Sequence, residues 1–141
     1  MILVDANLLI YAVNRDAVDH AAAREWWERT LSGTTEVALA WIVILAFIRI
    51  TTRAGILERP MSCESAVAYI EEWLRQPCVI FLGPGEKHWP IFKNLITATG
   101  TGGNLTSDTH LAALALEHGA EIYSADYDFK RFQGLVHVNP L

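Results

Sequence analysis

The chain is poor in cysteine, proline and charge: among 141 residues there are two cysteines, five prolines and 19% Asp, Glu, Lys and Arg. Cys63 and Cys78 lie in unrelated contexts without a Cys-x-x-Cys spacing, so they give no disulfide framework and are expected to be reduced core thiols. No basic region leads into a long apolar segment at the amino terminus, where Asp5 interrupts Met1 to Val4, so a signal peptide is not expected. No apolar run reaches the length of a membrane span, since Trp41 to Ile50 gives way to Thr51-Thr52-Arg53. An excess of positive charge is missing too. The net charge of -5 argues against a uniformly basic surface, although acids gathered in one site beside local Arg and Lys would give the same total. With no Gly/Pro-rich linker, internal repeat or low-complexity tract, the expectation is one soluble cytoplasmic domain spanning residues 1–141.

What the chain does have is apolar residues, 52% of the total, enough to bury a substantial core. They fall into alternating short runs and amphipathic stretches. Strands are predicted at Ile2–Val4, Glu36–Ala40, Val79–Leu82, Glu121–Tyr123 and Val136–Val138. Helical periodicity covers Leu8–Val13, Ala17–Leu31, Ile42–Thr52, Cys63–Arg75, Lys87–Thr97 and Leu105–His118. The alternation predicts an α/β three-layer sandwich around a mainly parallel central sheet of about five strands.

In such a sheet the chemistry gathers at the carboxyl edge of the strands. Asp5 directly follows the first strand and Asp126 follows the fourth, so both are expected at that edge. Asp108 follows Thr106-Ser107 at a helix start, on the same stripe as Leu111, Ala112 and Ala115, which turns it inward. Each acid also has a structural explanation. Helix capping accounts for Asp108 about as well as chemistry does, and for Asp126 as the cap of a short helix carrying Phe129 and Phe132. Asp128 suits a capping role better than a catalytic one, whereas capping explains Asp5 least. Acids held together need a counter-ion, because unit charges 4 Å apart repel by about 4 kcal/mol at an effective dielectric near 20.

The segments Asp5-Ala6-Asn7-Leu8-Leu9-Ile10-Tyr11, Ser107-Asp108-Thr109-His110-Leu111-Ala112 and Ser124-Ala125-Asp126-Tyr127-Asp128-Phe129 resemble the successive motifs of the PIN domain family. In order, spacing and length the whole chain, down to Asn139-Pro140-Leu141, is similar to VapC-type toxins, the ribonuclease halves of bacterial toxin–antitoxin pairs. The resemblance implies an endoribonuclease dependent on Mg²⁺ or Mn²⁺ that cleaves structured transfer or ribosomal RNA with a metal-activated water. It implies Asp5, Asp108 and Asp126 as catalytic metal ligands, Asn7 orienting a carboxylate or water, Ser124 bonding near Asp126, and Asp128 in support. It also implies a homodimer and a cognate VapB-like antitoxin. A hard divalent ion with oxygen ligands suits such acids on chemical grounds as well.

One element departs from the pattern. PIN nucleases usually carry a Glu before a Phe-hydrophobic-Arg run on the helix after the second strand, and here the run reads Leu45-Ala46-Phe47-Ile48-Arg49. With Ala46 in the place of the acid, the ion is expected to be held more weakly and activity to be reduced or lost. Ile42, Ala46, Arg49 and Arg53 share one helical stripe, so Arg49 is expected near the pocket, where an ion pair with an acid is slightly favoured over a grip on RNA phosphate. Lys130 and Arg131 are further phosphate candidates.

The other conspicuous residues read as structural. Trp26, Trp27, Trp41, Trp73 and Trp89 are scattered and suit core or interface packing, and His110 and His118 lack the spacing of a zinc site. Gly100-Thr101-Gly102-Gly103-Asn104 reads as a loop beside the pocket rather than a P-loop. Two rival functions remain: a non-catalytic PIN-like module that binds antitoxin or RNA, and a haloacid-dehalogenase-like phosphatase. The latter needs Asp-x-Asp where this chain has Asn7.

Overall fold

The computed structural model describes residues 1–100 and 102–141; Thr101, within the glycine loop, lies outside the described residues. The five strands are β1 (Ile2–Val4), β2 (Val37–Ala40), β3 (Val79–Leu82), β4 (Glu121–Tyr123) and β5 (His137–Val138). They form one parallel sheet in the order β3-β2-β1-β4-β5. β1 is therefore central and fully buried, which its composition of Ile, Leu and Val requires. Sequence order runs outward from β1 in both directions, β2 and β3 on one side and β4 and β5 on the other. The gap between β1 and β4 is the topological switch point, where open α/β sheets leave a crevice.

Six helices flank the sheet: α1 (Ala6–Val13), α2 (His20–Leu31), α3 (Trp41–Thr52), α4 (Cys63–Leu74), α5 (His88–Thr99) and α6 (Thr106–His118). Helices α1 to α4 pack in a connected group, and α5 lies along α6. Two short 3-10 segments, Gly103–Leu105 and Tyr127–Arg131, complete the chain. The expected strands and helices are present with ends shifted by a few residues, the largest shift being the start of α2, where residues 17–19 form turns before His20.

The local chemistry explains the helix boundaries. Ser62 caps α4 by accepting from the Ser65 amide, and Gly119 ends α6 in the left-handed region at φ 67°, where a side chain would be strained. The core runs through both sides of the sheet and includes Leu3, Leu8, Leu39, Phe47, Leu114, Ile122 and Phe129, all essentially inaccessible. Trp27 and Phe47 meet Trp73 edge-on at 5.6 and 5.0 Å.

One expectation about a single residue is corrected. Cys63 is exposed at the first position of α4 rather than in the core, and only Cys78 is partly buried. Trp41 and Trp89 are 62% and 64% exposed, while Trp26, Trp27 and Trp73 are buried. The loop after α5 closes as a 3-10 turn at Gly103–Leu105 with Asn104 exposed. No helix among the described residues is long and apolar enough to cross a membrane.

Candidate metal centre

Asp5 stands where β1 ends and α1 begins. Its amide donates to the Tyr123 carbonyl of β4 at 2.9 Å, which locks the residue to the switch point. Its carboxylate is engaged on both oxygens, Oδ1 accepting from the Ala6 amide at 2.7 Å and Oδ2 from the Ser124 hydroxyl at 2.7 Å. Asp5 thus caps α1 and belongs to the acid site at once, so the capping role that its sequence context made least persuasive is real.

Ser124 is the hub of the site and is fully buried. Besides donating to Asp5, its Oγ accepts from Asn7 Nδ2 at 3.1 Å and from the Asp126 amide at 3.0 Å. One donated and two accepted bonds exhaust what a hydroxyl offers. Asn7 in turn accepts the Ala125 amide on Oδ1 at 3.3 Å, so it orients Asp5 by fixing Ser124 rather than by direct contact. His137 on β5 donates from Nε2 to the Ser124 carbonyl at 2.9 Å. Nothing in its sequence context marks His137 for this bracing role, which depends on β5 lying beside β4.

Asp126 is the cap of the 3-10 helix, its Oδ1 accepting from the Asp128 amide at 2.9 Å. The capping assignment made for Asp128 is therefore corrected: Asp126 caps, and the turn it closes presents Asp128. Asp108 lies in the first turn of α6, whose cap position is held by Leu105 without a side-chain bond, so Asp108 is not a cap either. Oxygens of Asp108, Asp126 and Asp128 all fall within 4.8 Å of one another, the one such group of potential metal-binding side chains among the described residues. The structure brings two of the three expected acids together directly, adds Asp128, and holds Asp5 behind them through Ser124.

The electrostatics follow from this crowding. Burial pushes the Asp108 carboxyl up to about 6, and the charges of Asp5, Asp126 and Asp128 add to the effect. Burial also raises Asp5, outweighing the hydrogen bonds from Ser124 and Ala6 that stabilise its anion. All donors are carboxylate oxygens, which suits a hard divalent cation, and neutralising them would remove the repulsion. Asp108 binds a proton more tightly when folded than at its ordinary value of 3.8, so without metal the protein gains stability as pH falls from about 6 towards 4. Thermal unfolding in metal-free buffer is expected to show Asp108→Asn melting above the parent at pH 7.5, with the gap narrowing at pH 5 and closing at about pH 4 and below. A gap independent of pH would show that Asp108 is not under this strain.

A cleft of about 250 Å³ adjoins the acids, lined among others by Asp5, Asn7, Ala46, Arg49, Ser107 and Asp108. Ala46 places a methyl at its wall. Arg49 lines the same cleft and makes no ion pair among the described residues, which corrects the salt bridge expected for it. Lys130 stacks over the Tyr127 ring at 5.7 Å, and Arg131 Nε approaches Asp128 Oδ1 at 3.4 Å.

Residues 2–135 match the PIN domain family model. This chain belongs to the PIN domain family. Among curated PIN relatives, Ribonuclease VapC37 of Mycobacterium tuberculosis is 43% identical over 135 residues, covering 96% of this chain and 94% of the relative. Ribonuclease VapC33 of the same species is 42% identical over 141 residues, covering 100% and 99%. Among solved PIN structures, VapBC2 of Rickettsia felis, bound to a promoter DNA fragment, superposes with a TM-score of 0.72 at 19% identity over 99% of this chain and 98% of that one. The M. tuberculosis toxin VapC20, described as cleaving the sarcin-ricin loop, gives 0.70 at 20% identity, covering 99% and 100%. At those identities the structures testify to the PIN fold.

Proposed function

We propose that the chain is a VapC-type endoribonuclease, a single PIN domain acting as the toxin of a VapBC pair on structured RNA. The observation that carries the reading is the convergence of Asp108, Asp126 and Asp128 at the switch point, with Asp5 behind them, in a chain 42–43% identical to proteins named ribonucleases. Asp108 and Asp126 would hold a Mg²⁺ or Mn²⁺ ion, with Asp5, linked to Asp126 through Ser124, acting on it directly or through water. Bound there, the ion supplies a lowered water pKa and a counter-charge for the leaving oxygen of a phosphodiester.

The chain's own residues do the rest. Ser124 and Asn7 fix the Asp5 carboxylate in one orientation, so no reorganisation is needed when substrate arrives. Arg49, free of any acid partner among the described residues, offers a planar donor fork to an RNA phosphate entering the cleft. Lys130 and Arg131, in the turn that carries Asp128, put positive charge beside the acids that a neighbouring RNA phosphate could use. A groove between α1, α2 and α4, lined by Trp27, Trp73, Leu31, Arg15, Glu28 and Glu72, suits an amphipathic segment of a VapB-like antitoxin. The exposed Trp41, Leu45 and Phe81 suit a homodimer contact. A cytoplasmic site of action accords with an RNA substrate.

The test is cleavage of total cellular RNA by purified protein. Activity is expected with Mn²⁺ or Mg²⁺, to vanish in chelator and to return on adding metal back. RNA binding without cleavage under every metal condition would instead support a non-catalytic module, and turnover of a small phosphate ester with RNA untouched a phosphatase.

A further inference from the structure

The site departs from the motif pattern of its family at Ala46, and a further acid stands beside those that remain. On α3 the expected carboxylate is replaced by the methyl of Ala46. On the 3-10 helix, Asp128 brings an oxygen to within 4.8 Å of those of Asp108 and Asp126. The position is built rather than incidental: Asp126 Oδ1 takes the Asp128 amide at 2.9 Å, so one acid of the cluster fixes the backbone that presents the next. Directly behind, Phe129 is fully buried and anchors the turn in the core.

Among the described residues Asp128 has one other charged contact, the Arg131 guanidinium at 3.4 Å, three residues along the same turn. Both side chains are well exposed, 45% for Asp128 and 60% for Arg131. An exposed pair at this distance is weak, and solvent screens it. Its geometry suits a placeholder: a cation that neutralises Asp128 while the site is empty and yields to a doubly charged ion shared by three carboxylates.

We propose that Asp128 is a metal ligand in this chain, supplying the carboxylate that α3 lacks, and that Arg131 is the counter-ion exchanged for the metal. The inference rests on the metal-dependent reading above and deepens it. It makes the centre one of three aspartates drawn from α6 and the 3-10 helix, with Asp5 behind them, and leaves the α3 wall of the cleft to Arg49 and substrate. Arg131, once released from Asp128, becomes available to an RNA phosphate next to the ion. Occupancy by metal and readiness of a phosphate-binding group are then coupled in one turn.

The experiment is calorimetric titration of MnCl₂ into the metal-free protein, without RNA, so that catalysis is not the readout. Asp128→Asn is expected to weaken Mn²⁺ binding by about tenfold or more. Arg131→Gln is expected to tighten it severalfold, a gain that misfolding cannot mimic, and this gain is expected to disappear in the Asp128→Asn background. Adding Ala46→Glu to Asp128→Asn is expected to restore much of the affinity. If Asp108→Asn abolishes binding while Asp128→Asn leaves it unchanged, the role given to Asp128 is wrong and the metal reading survives. If neither substitution alters Mn²⁺ binding, both readings fall.

Discussion

Asp108→Asn is expected to lower the rate of metal-supported RNA cleavage by about a thousandfold, equivalent to about 4 kcal/mol of lost transition-state stabilisation. The size follows from the position of Asp108. It is the acid common to the carboxylate cluster and to the cleft beside it, and its own ionisation is opposed by burial and three neighbouring acids. The amide keeps the shape and removes the charge, so the variant should fold at least as well as the parent at neutral pH. Cleavage rates at saturating Mn²⁺, measured beside thermal unfolding of the same samples, separate lost chemistry from lost structure. Activity within tenfold of the parent would place the reacting phosphate elsewhere.

The second large effect is on stability. Phe129→Ala is expected to cost about 3–5 kcal/mol in urea unfolding, as for other fully buried phenylalanines. Phe129 packs at 6.1 Å from the rings of both Phe132 and His137, and it belongs to the turn that carries Asp126 and Asp128. Its loss should therefore loosen the acid cluster before the domain unfolds. Mn²⁺ affinity falling at urea concentrations where the fold is intact would reveal that order. A cost below about 1 kcal/mol would mean that the turn is not anchored as described.

Much of this architecture was legible in the sequence because each strand is a short apolar run and each helix carries its own periodicity. Ile2–Val4, Val79–Leu82 and Glu121–Tyr123 are found where the pattern places them. Asp5 and Asp126 reach one edge for a topological reason, since each follows a strand and all the strands are parallel. What stayed hidden depends on neighbours distant in sequence or on the pitch of one short turn. The cap role given to Asp128 belongs to Asp126, for which it had been left open, because the 3-10 helix starts directly after Asp126. Exposure of Trp41 could not be read from composition, since an aromatic at a helix start is written the same way whether its face is covered or open.

A third case is the contact between α5 and α6. His88 Nε2 and His110 Nδ1 lie 2.9 Å apart, and both Glu117 oxygens accept amides from Gly85 and Lys87. No local pattern announces a link between residues 22 to 32 positions apart. It fastens the β3–α5 connection to α6, the helix that carries Asp108, so the acid is steadied by a peripheral segment.

The central place of β1 has a consequence for synthesis. β1 is made well before its partner: it pairs with β4, and Asp5 meets Ser124, across a separation of 119 positions. A growing chain therefore holds Asp5 apart from Asp126 and Asp128 until β4 and the turn after it have been made. A centre wired this way is assembled only by closing the sheet, so the acids come together as a late step of folding rather than through local structure.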